Sequence, residues 1–504
     1  MTSPFRALIR LSEKASDLSE LGNAAWIPLA GSISDATCQP IYGYLAKLKG
    51  TLRPMVLASA LLSLGLLTCF ASQSLWQLAL GRVLFGMGSS GVLLLAIVML
   101  TDLVPLANLP LWRSVVVVVQ SLGFMSGGPL GSLLASETSW HIPFLVESLL
   151  ASLATLILLL AMRSPVALDQ VESQTSEPPT TPVTLVHNFD ILGGILLLLT
   201  VLVPLVGLNL WGNVLPGTHP AEITFLCLTP MLLGLFTYHE LYNNKSTLLP
   251  LHLFKNLQSV AILACTGLTI FARNQLDIHI TFYAEVRSQP DNIFTNWILT
   301  CQFLGVSLGS VFSGWLIAKF RHFTWLLFAS IISAFVLYLL MATGIIHPEN
   351  ARFAPALISN GVALGAIQNC LIVGLFVSTA MEDRSMSYAF FELTVSVFAD
   401  IGIAVSSALQ RQWFIGGMQE TFGHSPETAE LISKSLQSLD AVRKLPEEIR
   451  SRVLERFIIA LRKVFGVSCG LLALATLVAV LLPNAPFGTW LPHPSHLRES
   501  EDED

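Results

Sequence analysis

Apolar runs of about twenty residues punctuate this chain, and that is the length a helix needs to cross the hydrocarbon core of a bilayer. Thirteen can be read, near 24–46, 54–72, 76–102, 113–134, 141–162, 189–211, 219–240, 258–284, 293–318, 323–345, 354–380, 386–409 and 464–482. Lipid offers backbone amides no hydrogen-bond partners, so a crossing segment must satisfy them within itself, as a helix. The expected fold class is therefore all-α, a polytopic membrane protein with about 13 transmembrane helices. Charge agrees: 12% of the 504 residues are Asp, Glu, Lys or Arg, where soluble domains carry about 25%.

The spans divide into blocks. A polar segment, residues 1–23, precedes an amino-terminal bundle over 24–162. Residues 163–187 are rich in Pro, Thr and Ser and read as a flexible cytoplasmic linker. A helix pair follows at 188–240, then a loop at 241–257 and a carboxy-terminal bundle at 258–482. Within that bundle 410–463 is too polar to cross lipid, and Ser425-Pro426-Glu427 has the form of a helix start. The tail 483–504 ends in acidic residues and reads as disordered.

Lys and Arg in short loops set the orientation. If the first span runs outside to inside, the cytoplasmic face collects Lys47, Lys49, Arg53, Arg113, Arg163, Lys245, Lys255, Lys319, Arg321, Arg384 and Arg498. The short outer loops hold only Arg287 and Arg352. A net charge of -6, thinly spread, gives no reason to expect nucleic acid. The seven cysteines lie in apolar segments without metal-ligand spacing, so no metal or cofactor is expected. Walker A, HExxH and GxSxG patterns are absent, and the Gly-rich GMGSSG sits inside a hydrophobic run, so no enzyme is expected.

Residues 112–137 read WRSVVVVVQSLGFMSGGPLGSLLASE. Gly123, Gly127 and Gly131 recur every fourth residue and so share one helix face, where small side chains let a neighbour approach closely. Gly128-Pro129 interrupts the backbone ladder on that surface. The stretch GFMSGGPLG resembles the GxxxGPxxG element of the antiporter branch of the major facilitator superfamily. Trp26 to Gly43 (WIPLAGSISDATCQPIYG) resembles the second span of its fourteen-span drug:proton antiporters, in the fungal form. Similar matches follow in order: GRVLFGMGSSG with Arg82, Phe189-Asp190-Ile191-Leu192-Gly193, LPLHLFKN from Leu249, and the span containing Gly305, Gly309 and Gly314. The resemblance covers nearly all of residues 8–485. It implies a major-facilitator fold of two pseudo-symmetric halves, and it implies that the family's first span is missing from this chain.

Two departures stand out. Where the family's loop between its second and third spans reads GxxxDxxGRR, this chain has Gly43 to Arg53, with Lys47 in place of the acid and Thr51-Leu52 in place of the basic pair. The resemblance gives that acid a gating contact, so the cytoplasmic gate is expected to differ. Where the sixth span opens WRWxFxxN, this chain has Trp140 to Glu147.

Charges inside spans cost about 2.5–3.5 kcal/mol each on insertion scales and are functional candidates. Proton-coupling candidates are Asp35, Arg82, Arg273 and Asp277. Asp35 lies mid-span beside Ser32 and Ser34, with Arg82 expected as its positive partner. Arg82 also matches the arginine that the family links to proton handling. Arg273 and Asp277 are four apart, the spacing of an ion pair on one helix face. Gln120, Glu147, Gln302 and Asn369 are substrate-cavity candidates, with Gln368 beside them. Gly123, Gly127, Gly128, Pro129 and Gly131 are candidates for conformational change. Asp400 and Glu392, placed near a span end, are not ranked. The resemblance implies proton-coupled efflux of a small organic compound by a monomer working with protons in a lipid bilayer. The alternatives are a vacuolar basic amino acid transporter and a degenerate, non-transporting protein; the cell membrane is the expected location, the vacuolar membrane the other.

Overall fold

The computed structural model describes residues 26–105, 108–137, 141–162, 190–210, 220–242, 254–287, 293–346, 353–379, 383–437, 442 and 445–482. The described residues form fourteen helices. In the first half these are α1 (Trp26–Lys49), α2 (Leu52–Phe70), α3 (Leu75–Leu103), α4 (Leu109–Glu137) and α5 (Ile142–Ala161). The pair α6 (Ile191–Leu210) and α7 (Pro220–Tyr242) follows. The second half comprises α8 (Leu257–Arg287), α9 (Ile293–Phe320), α10 (Thr324–Thr343), α11 (Ala354–Ser378), α12 (Arg384–Phe422), α13 (Pro426–Gln437) and α14 (Glu447–Ala479). Nine of these are long and apolar enough to cross a membrane. The chain is an all-helical, multi-pass membrane protein. Helices α1 and α8, at 24 and 31 residues, are long enough but are not among the nine. They carry Asp35 and Gln39, and Arg273, Asp277 and His279, respectively.

Local chemistry sets the helix ends. Ser74 caps α3 by accepting from the Gln77 amide, while the Gln77 side chain accepts from the Gln73 amide, so two otherwise orphaned donors are paired. Asp190 caps α6 through the Gly193 amide at 2.9 Å, and its other oxygen meets His239 Nε2 of α7 at 2.8 Å. A Cβ on Gly193 would collide with that carboxylate, which accounts for the glycine of the Asp190-to-Gly193 motif. Gly344, at φ 74°, ends α10, and Arg462 of α14 donates to the carbonyls of Ala342 and Thr343 left open there.

Glycines bring backbones together at particular crossings. On α9, an added Cβ at Gly309 would lie 2.5 Å from Val362 Cα, and Gly305 is pressed against Ile358; on α11, Gly361 and Gly365 press back on α9. Gly86 of α3 lies against Ser34 and Gly31 of α1, while Gly88 faces Leu62 and Ala58 of α2.

Three expectations are corrected. Gly123 has open space where a Cβ would go, so no close contact exists at that position; the spacing of small residues shows a shared face but not what covers it. Gly127 is half-buried, and the surroundings of Gly128, Pro129 and Gly131 are not among the described ones, although the helix runs through them. Arg113, counted with a cytoplasmic loop, is buried in the first turns of α4. The helices read at 386–409 and 464–482 are longer than their apolar runs, α12 continuing to Phe422 and α14 beginning at Glu447, while the segment between them carries α13 from the helix start at Ser425-Pro426. Hydropathy marks the apolar part of a helix, not its full length. These extensions and α13 bury their own core, in which Phe414 stacks on Phe457 at 3.7 Å beside Met418, Ile432 and Val453.

The two halves meet along two antiparallel crossings, α1 with α12 and α4 with α9. The α6–α7 pair packs at the first of them, with Leu197, Val201 and Leu205 of α6 against Ile33 and Ala36 of α1 and Leu393 of α12.

Candidate functional site

The α1–α12 crossing is lined by two polar stripes. Ser32, Asp35 and Gln39 recur at helical spacing on α1, and Glu392, Ser396 and Asp400 are each four apart on α12. Running antiparallel, the stripes meet in register. Lys47 Nζ pairs with Asp383 at 3.1 Å, and Gly43 admits Ala389. Gln39 Nε2 donates to Ser396 Oγ at 2.8 Å and to Asp35 Oδ2 at 3.1 Å. Ser396 Oγ donates to Asp35 Oδ2 at 3.1 Å, and Ser32 faces Asp400. From α3, Ser89 Oγ donates to Asp35 Oδ1 at 3.2 Å. Asp35 is thus held by its own half through Ser89 and by the other half through Ser396.

Arg82 is not its partner. It lies seven residues before Ser89 on α3, about two turns away. Its guanidinium sits over the Phe85 ring at 4.6 Å, and the acid within electrostatic reach is Glu147 of α5. The expected Asp35–Arg82 pair is replaced by two separate sites, because the two half-buried residues lie in the same bundle at different levels along its helices. Glu147 itself is exposed.

In the second half, Arg273 Nε and Asp277 Oδ2 are 3.7 Å apart on α8, four residues apart in sequence. Gln302 Nε2 of α9 donates to Asp277, and Arg273 Nη1 to Gln368 Oε1 of α11 at 3.4 Å. His279, in the next turn, is held by the Gln275 carbonyl at 2.8 Å.

Asn369 is a strut. Its amide donates to Pro110 O, Ser310 O and Ser313 Oγ at 3.1–3.4 Å, and it accepts from Arg113 Nη1 at 3.3 Å. With its capacity committed and its side chain fully buried, it is corrected from cavity ligand to packing residue. Tyr388 donates to Glu392, and Arg113 lies within electrostatic reach of that pair. Gln120 is exposed on α4. Among the described residues no group of His, Cys, Asp and Glu could hold a metal ion.

Sequence reading missed Ser89 and Ser396, left Glu392 and Asp400 unranked, and counted Arg113 with a loop. The four-residue spacing of Glu392, Ser396 and Asp400 was the available signal, obscured because the apolar window ended short of the helix.

A paired architecture of helical halves joined through a buried polar seam is what known transporters can be compared with. The family model described as Major Facilitator Superfamily matches residues 11–273, more than half of the chain. The chain belongs to the major facilitator superfamily. It is 23% identical over 458 residues to the multidrug resistance protein fnx1 of Schizosaccharomyces pombe, covering 90% of this chain and 84% of that one. It is 20% identical over 468 residues to the vacuolar basic amino acid transporter 2 of Saccharomyces cerevisiae, covering 91% and 97%. The crystal structure of the human organic anion transporter MFSD10 has the same fold, with a TM-score of 0.56 at 12% identity over 90% of this chain and 83% of that one. As a superfamily member the chain is a transporter, not an enzyme.

Proposed function

We propose that this transporter moves a small organic compound across its membrane in exchange for protons, with export as the working direction and Asp35 as the group that couples the two. The observation that carries this is the double anchorage of Asp35, by Ser89 and by Ser396 of the opposite half. As a carboxylate, Asp35 accepts from Ser89, Ser396 and Gln39 together. A proton on Oδ2 turns that atom into a donor, and the Ser396 and Gln39 bonds to it can no longer both be accepted. Charge on one atom thereby controls how firmly the halves are joined, and a ligand or proton shifts the balance only through such a difference between states.

A second reading is vacuolar uptake of basic amino acids. It is favoured by the likeness to the yeast vacuolar basic amino acid transporter 2 and to the S. pombe vacuolar membrane amino acid uptake transporter fnx2, 22% identical over 439 residues. The test is uptake into and efflux from proteoliposomes holding the full chain, with and without an imposed pH gradient. Gradient-driven movement of a drug-like compound supports the first reading and of arginine or lysine the second; movement of neither supports a protein that has lost transport.

A further inference from the structure

Lys319, in the last turn of α9, and Arg321, in the turn to α10, are exposed cations at the face that the charge bias makes cytoplasmic. No acid among the described residues pairs with either. Lys319 Nζ stands instead over the Trp315 ring at 4.9 Å and the Phe320 ring at 5.6 Å. Leu304, Leu308, Phe312 and Trp315, three or four residues apart and all exposed, continue up one face of α9. The stripe is roughly 16 Å long by its rise per residue, close to the hydrocarbon depth of one leaflet. An apolar track thus ends in a positioned cation at the level of the lipid headgroups.

Arg321 has φ 55° and is the one residue other than glycine with positive φ among the described residues; Gly50, Gly344 and Gly423 are the others. In that conformation a Cβ crowds the backbone, which is why glycine is the usual choice. A cation in the last turn of a helix complements its carbonyl end, and that accounts for Lys319. It does not account for Arg321, where a glycine would make the same turn with less strain. What arginine adds is a flat cation that grips phosphate or carboxylate oxygens in pairs.

We propose that Lys319 and Arg321 form a site for the headgroup of an anionic phospholipid of the cytoplasmic leaflet, phosphatidylserine, with its acyl chains along the α9 stripe. That headgroup offers a phosphate and a carboxylate, one acidic group for each cation, and it is enriched in the leaflet these residues face. Phosphatidylcholine fits less well, because it lacks the carboxylate and presents a quaternary ammonium to two like charges. The site is independent of what the chain transports.

The experiment offers the purified full-length protein, in detergent, equal parts of phosphatidylserine and phosphatidylcholine, and counts by mass spectrometry the lipid it retains. Phosphatidylserine is retained at least about fivefold over phosphatidylcholine, the gain that one basic side chain supplies at a membrane surface. Arg321→Gly keeps the left-handed turn, so it melts no lower than the parent, yet it loses most of that preference. Lys319→Gln loses it too, and the two variants are read separately, so a folding failure of one still leaves a measurement. Lys255→Gln removes another exposed cation at the same face and leaves the preference intact. Equal retention of the two lipids, a preference that survives in either folded variant, or a loss in Lys255→Gln as large as in Arg321→Gly overturns the site.

Discussion

Lys47, near the end of α1, and Asp383, the residue before α12, form an ion pair at 3.1 Å that joins the two halves at one end of the molecule. Asp102 near the end of α3 and Arg384 at the start of α12 lie within electrostatic reach of each other beside it. Position 47 is where the family resemblance expects an acid, so here the sign is reversed and the acid sits on the opposite half. The pair is partly exposed, with side chains 43% and 24% accessible, and contributes about 1 kcal/mol or less. That is enough for about a fivefold change in the ratio of closed to open forms. Lys47→Glu should slow transport by a few-fold, and Lys47→Glu with Asp383→Lys should restore most of it. Initial rates in proteoliposomes check this; a double variant no better than the single one would mean the contact is incidental.

Asp35→Asn should fold normally, since Ser89, Ser396 and Gln39 still find a hydrogen-bonding group there, but should lose its response to a proton gradient. The measurement is efflux with and without an imposed gradient. Parental rates that still follow the gradient would remove Asp35 from the coupling. Arg82→Lys should be only partly tolerated, because an ammonium does not reproduce the flat guanidinium over the Phe85 ring.

The glycines sort by what lies opposite them. Gly309→Leu forces a side chain into the Val362 backbone and should cost at least the 1–3 kcal/mol, roughly, of ordinary overpacking. Gly123→Leu, with open space beyond it, should be nearly silent. Val117 is buried in the main core, so Val119, exposed on the same helix, is the neutral comparison. Melting temperature and surface expression report the difference; similar losses at 309 and 123 would contradict the packing described.

Orientation is open to a direct check. The sequon Asn244-Lys245-Ser246 falls on the cytoplasmic side by the charge bias and should carry no glycan. Its structure lies outside the described residues. A glycosidase-sensitive mass shift that disappears in Asn244→Gln would invert the assigned topology.

Much of the helix pattern was legible because lipid demands long apolar runs, and the motifs that carried the resemblance prove to be mostly close contacts. Gly86, Gly88, Gly305 and Gly309 sit where backbones touch, and Asp190 is a cap. The site was legible only in fragments. Asp35 and the Arg273–Asp277 pair stood out as charges in apolar surroundings. Ser89 and Ser396 did not, because they are ordinary residues until a crossing brings them within 3.2 Å of a carboxylate, and Gln302 reads in the sequence as a cavity residue, not as the partner of Asp277. The pairing of Arg82 with Asp35 failed because sequence separation along two helices does not give relative depth. Asn369 failed because an amide's role depends on how many of its bonds are already made.

The α6–α7 pair, finally, touches both halves where they meet. Its contact with α1 and α12 is built from Leu197, Val201, Leu205, Ile33, Ala36 and Leu393, carbon against carbon. Such surfaces have no preferred direction, so they shear with little resistance, as a greased bearing does. The helix pair can thus rest on the joint between the halves without locking it, and a polar residue introduced at Val201 would act as a brake.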